Sequence, residues 1–157
     1  MKDYKKAISK YVRIQLYIKP LVKQEGGEAD PTVAMMTSLK KSTLSQEETD
    51  SCTDLMSTAF LNSAICHHML GNLEKAKESA SKSLSYKKTI KGYYRLGQAC
   101  KALTDYDGAI AAYKQAIFLD TEDPNDIQTE LSRAEGLKRK KDKEADAKLS
   151  GFLKNGL

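Results

Sequence analysis

A chain of 157 residues is long enough for one domain with a substantial core, and 40% hydrophobic with 30% charged residues is ordinary for a soluble protein. Three prolines and nine glycines leave an all-helical fold open, and a net charge of +5 suits an acidic partner without saying whether that partner is nucleic acid, membrane or peptide. Cys52, Cys66 and Cys100 have neither CxxC spacing nor a regular framework, no apolar run is long enough to cross a bilayer, and no apolar signal region follows Met1, so free thiols and a cytoplasmic location are expected.

Residues 1–22 read as a helix carrying Tyr4, Ala7 and Tyr11. Residues 23–44, rich in Gly, Glu, Ser and Thr, read as a flexible insertion. Ser45-Gln46-Glu47-Glu48 has the form of a capping box and starts a long helix running to Leu70. Gly71-Asn72 then makes a turn and a second helix carries Ala76, so that residues 45–86 form a helical hairpin with an extended first helix. Residues 89–120 form another, with Tyr93, Leu96, Gly97 and Cys100 at i, i+3, i+4 and i+7, a turn at Thr104-Asp105, and then Ala109, Tyr113 and Ala116. Gly97 and Ala109 are small where two antiparallel helices must approach closely, and Tyr93 and Tyr113 fill the space beside them. Asp123-Pro124 supplies an N-cap and a proline at the first helical position, opening a helix over 123–149. Its stripe Ile127, Leu131, Ala134 and Leu137 would cover the open face of the preceding hairpin, the basic run 138–143 would project into solvent, and 150–157 is left as a tail.

The two hairpins are copies of one unit, because Ala64 stands where Gly97 does and Ala76 where Ala109 does, and both offsets are 33 (97 − 64 and 109 − 76). Tyr4, Ala7 and Tyr11 repeat the spacing of Tyr106, Ala109 and Tyr113, which makes the first helix the second half of an incomplete copy. The pattern resembles the tetratricopeptide repeat, whose aromatic, Leu-Gly, aromatic, Ala, aromatic and Pro positions are met by Tyr93, Leu96-Gly97, Ala109 and Tyr113, with Cys100 replacing one aromatic and Pro124 arriving late. The resemblance implies a single all-α domain, a superhelix of helical hairpins closed by a long C-terminal helix, and a protein-binding role.

In such a stack the first helix of each repeat lines a concave groove. Lys91 and Arg95 lie at i and i+4 on one face of such a helix, and Asn62 holds the position of Arg95 in the preceding hairpin (95 − 62 = 33). The set resembles the carboxylate clamp of tetratricopeptide co-chaperones, which implies as partner the acidic Glu-Glu-Val-Asp tail of the seventy- or ninety-kilodalton heat-shock chaperones. Asn62, Lys91 and Arg95 would then hold the carboxylates, with His68 and Gln98 touching the preceding peptide side chains. A terminal Asp carries two carboxylates on one residue, and converging charge-assisted donors offset their desolvation. The alternative is that Lys91 and Arg95 are solvated surface charges on an adaptor for some other peptide. The clamp's other lysine and asparagine belong to the first helix of repeat one, and the sequence begins after that helix: either it is a fragment of a longer protein, or the groove is built without those donors, leaving Tyr4, Ile8 and Tyr11 partly uncovered and inviting dimerisation or a helix swap. The whole arrangement resembles the C-terminal region of large immunophilins and their non-catalytic relatives, and in the FK-binding members a peptidyl-prolyl isomerase domain precedes such repeats.

Other chemistries lack their residues. Cys66-His67-His68 are adjacent on a helix and point in different directions, with no carboxylate at ligand spacing, so no metal site is expected. No glycine-rich phosphate loop, nucleophile elbow or paired-acid arrangement occurs, so neither catalysis nor a cofactor is expected. The basic run at 138–143 has no interleaved aromatics and is followed by acids, which argues against nucleic acid, and nothing points to a membrane partner.

Overall fold

The structure, a computed structural model, describes residues 3–21, 44–119 and 125–155. The insertion read over 23–44 lies outside these residues except for Leu44, and the Asp123-Pro124 cap lies outside them altogether. Among the described residues there are six α-helices and no strand: α1 (Tyr4–Ile18, followed by a 3-10 turn over Lys19–Leu21), α2 (Gln46–Met69), α3 (Leu73–Tyr86), α4 (Ile90–Ala102), α5 (Tyr106–Leu119) and α6 (Asn125–Asn155). Each packs against the next in chain order, and α2 also touches α4.

Local chemistry fixes where the helices begin. Ser45 and Glu48 close a reciprocal capping box, with Glu48 N–H donating to Ser45 Oγ (3.2 Å) and Ser45 N–H to Glu48 Oε2 (2.7 Å). Thr89 accepts from Gly92 N–H (3.0 Å) to cap α4, and Asp105 accepts from Gly108 N–H (3.0 Å) at the head of α5. The turns inside the two hairpins are built alike. Asn72 N–H donates to the His67 carbonyl (2.9 Å) and Asp105 N–H to the Cys100 carbonyl (3.0 Å), the same bond 33 residues apart (105 − 72 = 33). The residue before each donor is left-handed: Gly71 with φ 75° and Thr104 with φ 59°. Glycine accepts that conformation freely, whereas a β-branched residue is strained in it. Thr104→Gly is therefore expected to stabilise by about 0.5–1 kcal/mol, and Gly71→Ala to destabilise by about 1 kcal/mol, as read from urea midpoints. A Cβ at Gly71 would meet nothing within 4 Å, so its cost is backbone strain alone.

The interior is made of small residues. Buried on α2 and α3 are Met56, Ala59, Ala64, Ala76 and Ala80, together with Ser57 and Ser83, which meet across the two helices. Each serine hydroxyl bonds the other's carbonyl, Ser57 Oγ to Ser83 O at 3.1 Å and Ser83 Oγ to Ser57 O at 2.8 Å, so neither is left unsatisfied. A second cluster joins α4, α5 and α6 through Cys100, Ala109, Tyr113, Ala116, Ile127, Leu131 and Ala134. Burial pushes the Cys66 and Cys100 thiols up, and all three cysteines are free.

Helix α6 differs from the sequence reading in two respects. Leu137 is 41% exposed, because beyond Ala134 the positions turned towards α5 are Lys138 and Lys141. Lys138 reaches the Asp107 carboxylate, while Lys141 donates to the Thr104 carbonyl (3.1 Å) and lies 5.5 Å from the centre of the Tyr106 ring. Two members of the basic run thus clasp the hairpin, and residues 142–150 are exposed. The helix also continues through Gly151 to Asn155, past the expected end at 149, because Ser150-Gly151 stays helical and no proline follows.

Interhelical carboxylates make the stack acid-sensitive. Glu130, on α6, is held below the usual carboxylate range by its hydrogen bond from Lys101 of α4 and then by Arg133 (2.6 Å); Asp105 is held down by Lys77 of α3 (2.7 Å) and by the Gly108 N–H. A depressed folded-state pKa gives stability that is complete above the unfolded value, near pH 4, and lost as pH falls through the folded one. The Glu130 side chain is only 13% exposed and is less screened than Asp105. Urea midpoints are expected to fall between about pH 5 and about pH 3, and Glu130→Gln is expected to flatten that fall.

Candidate functional site

The site starts from the Thr89 cap, which sets the first turn of α4 and places Lys91 and Arg95 one turn apart. Lys91 is exposed and Arg95 half-buried. Arg95 Nη1 donates to Gln98 Oε1 (2.9 Å), and its guanidinium carbon lies 5.8 Å from the centre of the Tyr94 ring. Tyr94 in turn stands 6.0 Å from the Tyr113 ring, which is fully buried. The guanidinium is therefore braced through two aromatic rings to the interior, which restricts its rotamers before any ligand arrives.

Asn62 is half-buried on α2, the first helix of the preceding hairpin, and α2 and α4 touch. Among the described residues no hydrogen bond joins Asn62 to Lys91 or Arg95, and no carboxylate forms an ion pair with either cation. Four lysines elsewhere are each paired to an acid on another part of the chain: Lys77 with Asp105, Lys87 with Asp54, Lys101 with Glu130 and Lys138 with Asp107. On the first helix of the second hairpin Lys101 is thus compensated, while Lys91 and Arg95 have no acidic partner among the described residues.

Gln98 has a role that the sequence did not reveal, since its carbonyl oxygen accepts from Arg95 and fixes its direction. Tyr94 was missed as well; the signal was the Tyr93-Tyr94 doublet, in which one ring turns to the hairpin contact and the other lies beneath the arginine. His68 is half-buried in the last turn of α2. His67 beside it has a buried Nδ1 without a hydrogen-bond partner among the described residues, and burial followed by the charge of Lys75 pushes its pKa down. Among the described residues no group of three or more His, Cys, Asp or Glu side chains is placed to hold a metal ion, and no helix is long and apolar enough to cross a membrane.

The hairpin that carries Lys91, Arg95 and Gln98 is decided by its sequence as well as its shape. Residues 90–123 match the tetratricopeptide repeat. The matched repeat spans α4 and α5, and α2–α3 has the same turn geometry 33 residues earlier. No curated protein matches the chain. The fold is accordingly an all-α tetratricopeptide superhelix of helical hairpins with a long C-terminal helix. Stacked tetratricopeptide repeats expose extended concave surfaces on which other proteins are held, so the repeat reads as a protein–protein interaction module.

Proposed function

We propose that the chain is a co-chaperone adaptor whose groove takes the acidic C-terminal tail of a heat-shock chaperone, with Lys91 and Arg95 on the terminal carboxylates and Asn62 completing the set. The observation that supports this is that Lys91 and Arg95, one turn apart on α4, form no ion pair among the described residues, whereas Lys101 on the same helix is paired with Glu130. Arg95 is preorganised by Gln98 and Tyr94, so little side-chain freedom remains to be lost on binding. In this reading the unit belongs with the co-chaperones and large FK-binding immunophilins and acts in the cytoplasm.

A labelled peptide ending in Glu-Glu-Val-Asp, followed by fluorescence polarisation, tests the reading. Charge-assisted hydrogen bonds are worth about 1.5–3 kcal/mol each, so Lys91→Glu/Arg95→Glu should weaken binding by at least about a hundredfold. C-terminal amidation of the peptide should do the same. A second reading is an adaptor for a non-chaperone peptide with no carboxylate clamp, in which Arg95 Nη1 stays bonded to Gln98 and Lys91 is a solvated charge. Under that reading the amidated peptide binds as well as the free acid.

A further inference from the structure

Helix α6 carries the packing pattern of α4 forward. Its buried residues Ile127, Leu131 and Ala134 stand where Tyr93, Gly97 and Cys100 stand on α4, each at an offset of 34 (127 − 93, 131 − 97 and 134 − 100). Lys101 on α4 reaches Glu130 on α6, so the two helices lie side by side. At the same offset Arg95, Gln98 and Ala102 become Thr129, Ser132 and Gly136, all exposed (129 − 95, 132 − 98 and 136 − 102). The side of α6 turned away from its buried stripe therefore continues the wall that Lys91 and Arg95 begin.

Farther along, this side is basic. Ser132, Gly136, Arg139, Lys140, Lys143 and Ala147 share it at helical spacing, and three of the six are cations while none is an acid. Gly136 and Ala147 bring almost no side chain, which leaves a shallow hollow of about 410 Å³ among Arg139, Lys140 and Lys143, with Glu144 at its edge. Neighbouring cations are engaged elsewhere: Arg133 with Glu130, Lys138 with Asp107, and Lys141 with the Thr104 carbonyl and the Tyr106 ring. Arg139 has only a distant tie to Glu135, at 3.9 Å, and neither Lys140 nor Lys143 forms an ion pair among the described residues. The six positions include no aromatic ring on which a nucleic-acid base could stack.

We infer that the groove extends beyond its clamp, and that Arg139, Lys140 and Lys143 receive a second acidic stretch of the same peptide whose terminal carboxylates Lys91 and Arg95 hold. The inference rests on the carboxylate reading above. Reach sets the spacing of the two stretches. Lys140 and Lys143 lie 11 and 14 residues past Thr129 (140 − 129 and 143 − 129), about 16–21 Å along the axis, and α6 is displaced from α4 by about 10 Å. An extended chain spans that diagonal in about six or seven residues. The partner is therefore a chain that ends in an acidic residue and carries a further cluster of Asp or Glu about six to eight residues before its end.

Fluorescence polarisation of the full chain with two labelled twelve-residue peptides tests this. Both end in Glu-Glu-Val-Asp; one has Glu at the sixth to eighth residues from its end and the other has Gln there. The Glu peptide should bind about tenfold tighter, because three solvent-exposed charge contacts each add a modest amount. Arg139→Gln/Lys140→Gln/Lys143→Gln should abolish that difference and leave affinity for the Gln peptide unchanged. Lys75→Gln/Lys114→Gln/Lys148→Gln, which removes as much charge from other exposed positions, should preserve it. Equal affinity for the two peptides, a difference that survives in the α6 variant, or one lost equally in the control variant would overturn the inference. Amidating the C-terminus separates the two readings: if it weakens both peptides while they bind alike, the extension alone fails, and if it has no effect, the clamp fails and the extension with it.

Discussion

Replacing Gly97 with alanine is expected to destabilise the chain by about 2–3 kcal/mol, a large change for one methyl group. A Cβ at this position would stand 2.5–2.8 Å from three ring carbons of Tyr113. The ring has nowhere to retreat, because Tyr113 is fully buried and packs among Cys100, Ala116, Ile127 and Leu131 with Tyr94 beside it. Tyr113→Ala alone should cost about 3–5 kcal/mol through the cavity it leaves. The double variant Gly97→Ala/Tyr113→Ala should cost clearly less than the sum, since it recreates the pair Ala64 and Ala80 that the preceding hairpin holds buried at the same positions (97 − 64 and 113 − 80 are both 33). Urea denaturation of the four chains gives the coupling directly. Additive effects would mean that glycine and ring do not share the space assigned to them.

Leu131→Ala is expected to cost about 2–5 kcal/mol and to release α6 selectively. Among the described residues of this 31-residue helix, Ile127, Leu131 and Ala134 are the ones buried in the core cluster, so one truncation removes much of its apolar attachment. The polar ties from Glu130 to Lys101, Lys138 to Asp107 and Lys141 to Thr104 are exposed or partly exposed and weak without the apolar contact. Amide exchange along α6 should rise first, ahead of that in α2 and α3. Phe118→Ser serves as the control: that side chain is 79% exposed, and its loss should change stability by less than about 0.5 kcal/mol.

The hairpins were legible because their signals are periodic. Ala64 and Gly97, Ala76 and Ala109, and the two turns all recur at 33, and a repeated error of that kind is improbable. Ser45 and Glu48 announced the start of α2 by chemistry that needs no tertiary context. What stayed hidden depended on such context. Thr104 gives no hint of its left-handed backbone, because the next helix imposes the turn that Gly71 adopts freely. Nothing in a basic run distinguishes Lys138 and Lys141, which clasp α5, from their neighbours facing water, until the register of α6 on the hairpin is known. Of the site, the positions of Lys91 and Arg95 on one helical face could be read from spacing, but the bracing of Arg95 by Gln98 and Tyr94 could not.

The Ser57–Ser83 pair bears on alignment more than on strength. Ala64, Ala76 and Ala80, buried on α2 and α3, carry only methyl groups, so sliding one helix along the other meets little steric resistance. Two hydroxyls that each require the carbonyl of the other can be satisfied at one setting only, and any shift strands buried polar groups. The equivalent positions of the next hairpin hold Ile90 and Ala116 (57 + 33 and 83 + 33), and there the Gly97–Tyr113 interlock keeps the helices from slipping. One repeat is indexed by a polar latch and its neighbour by a ratchet tooth of aromatic shape, so the two hairpins should respond oppositely to apolar substitution: Ser57→Ala/Ser83→Ala would leave the first hairpin folded but free to drift in register, while the second has no such freedom to gain.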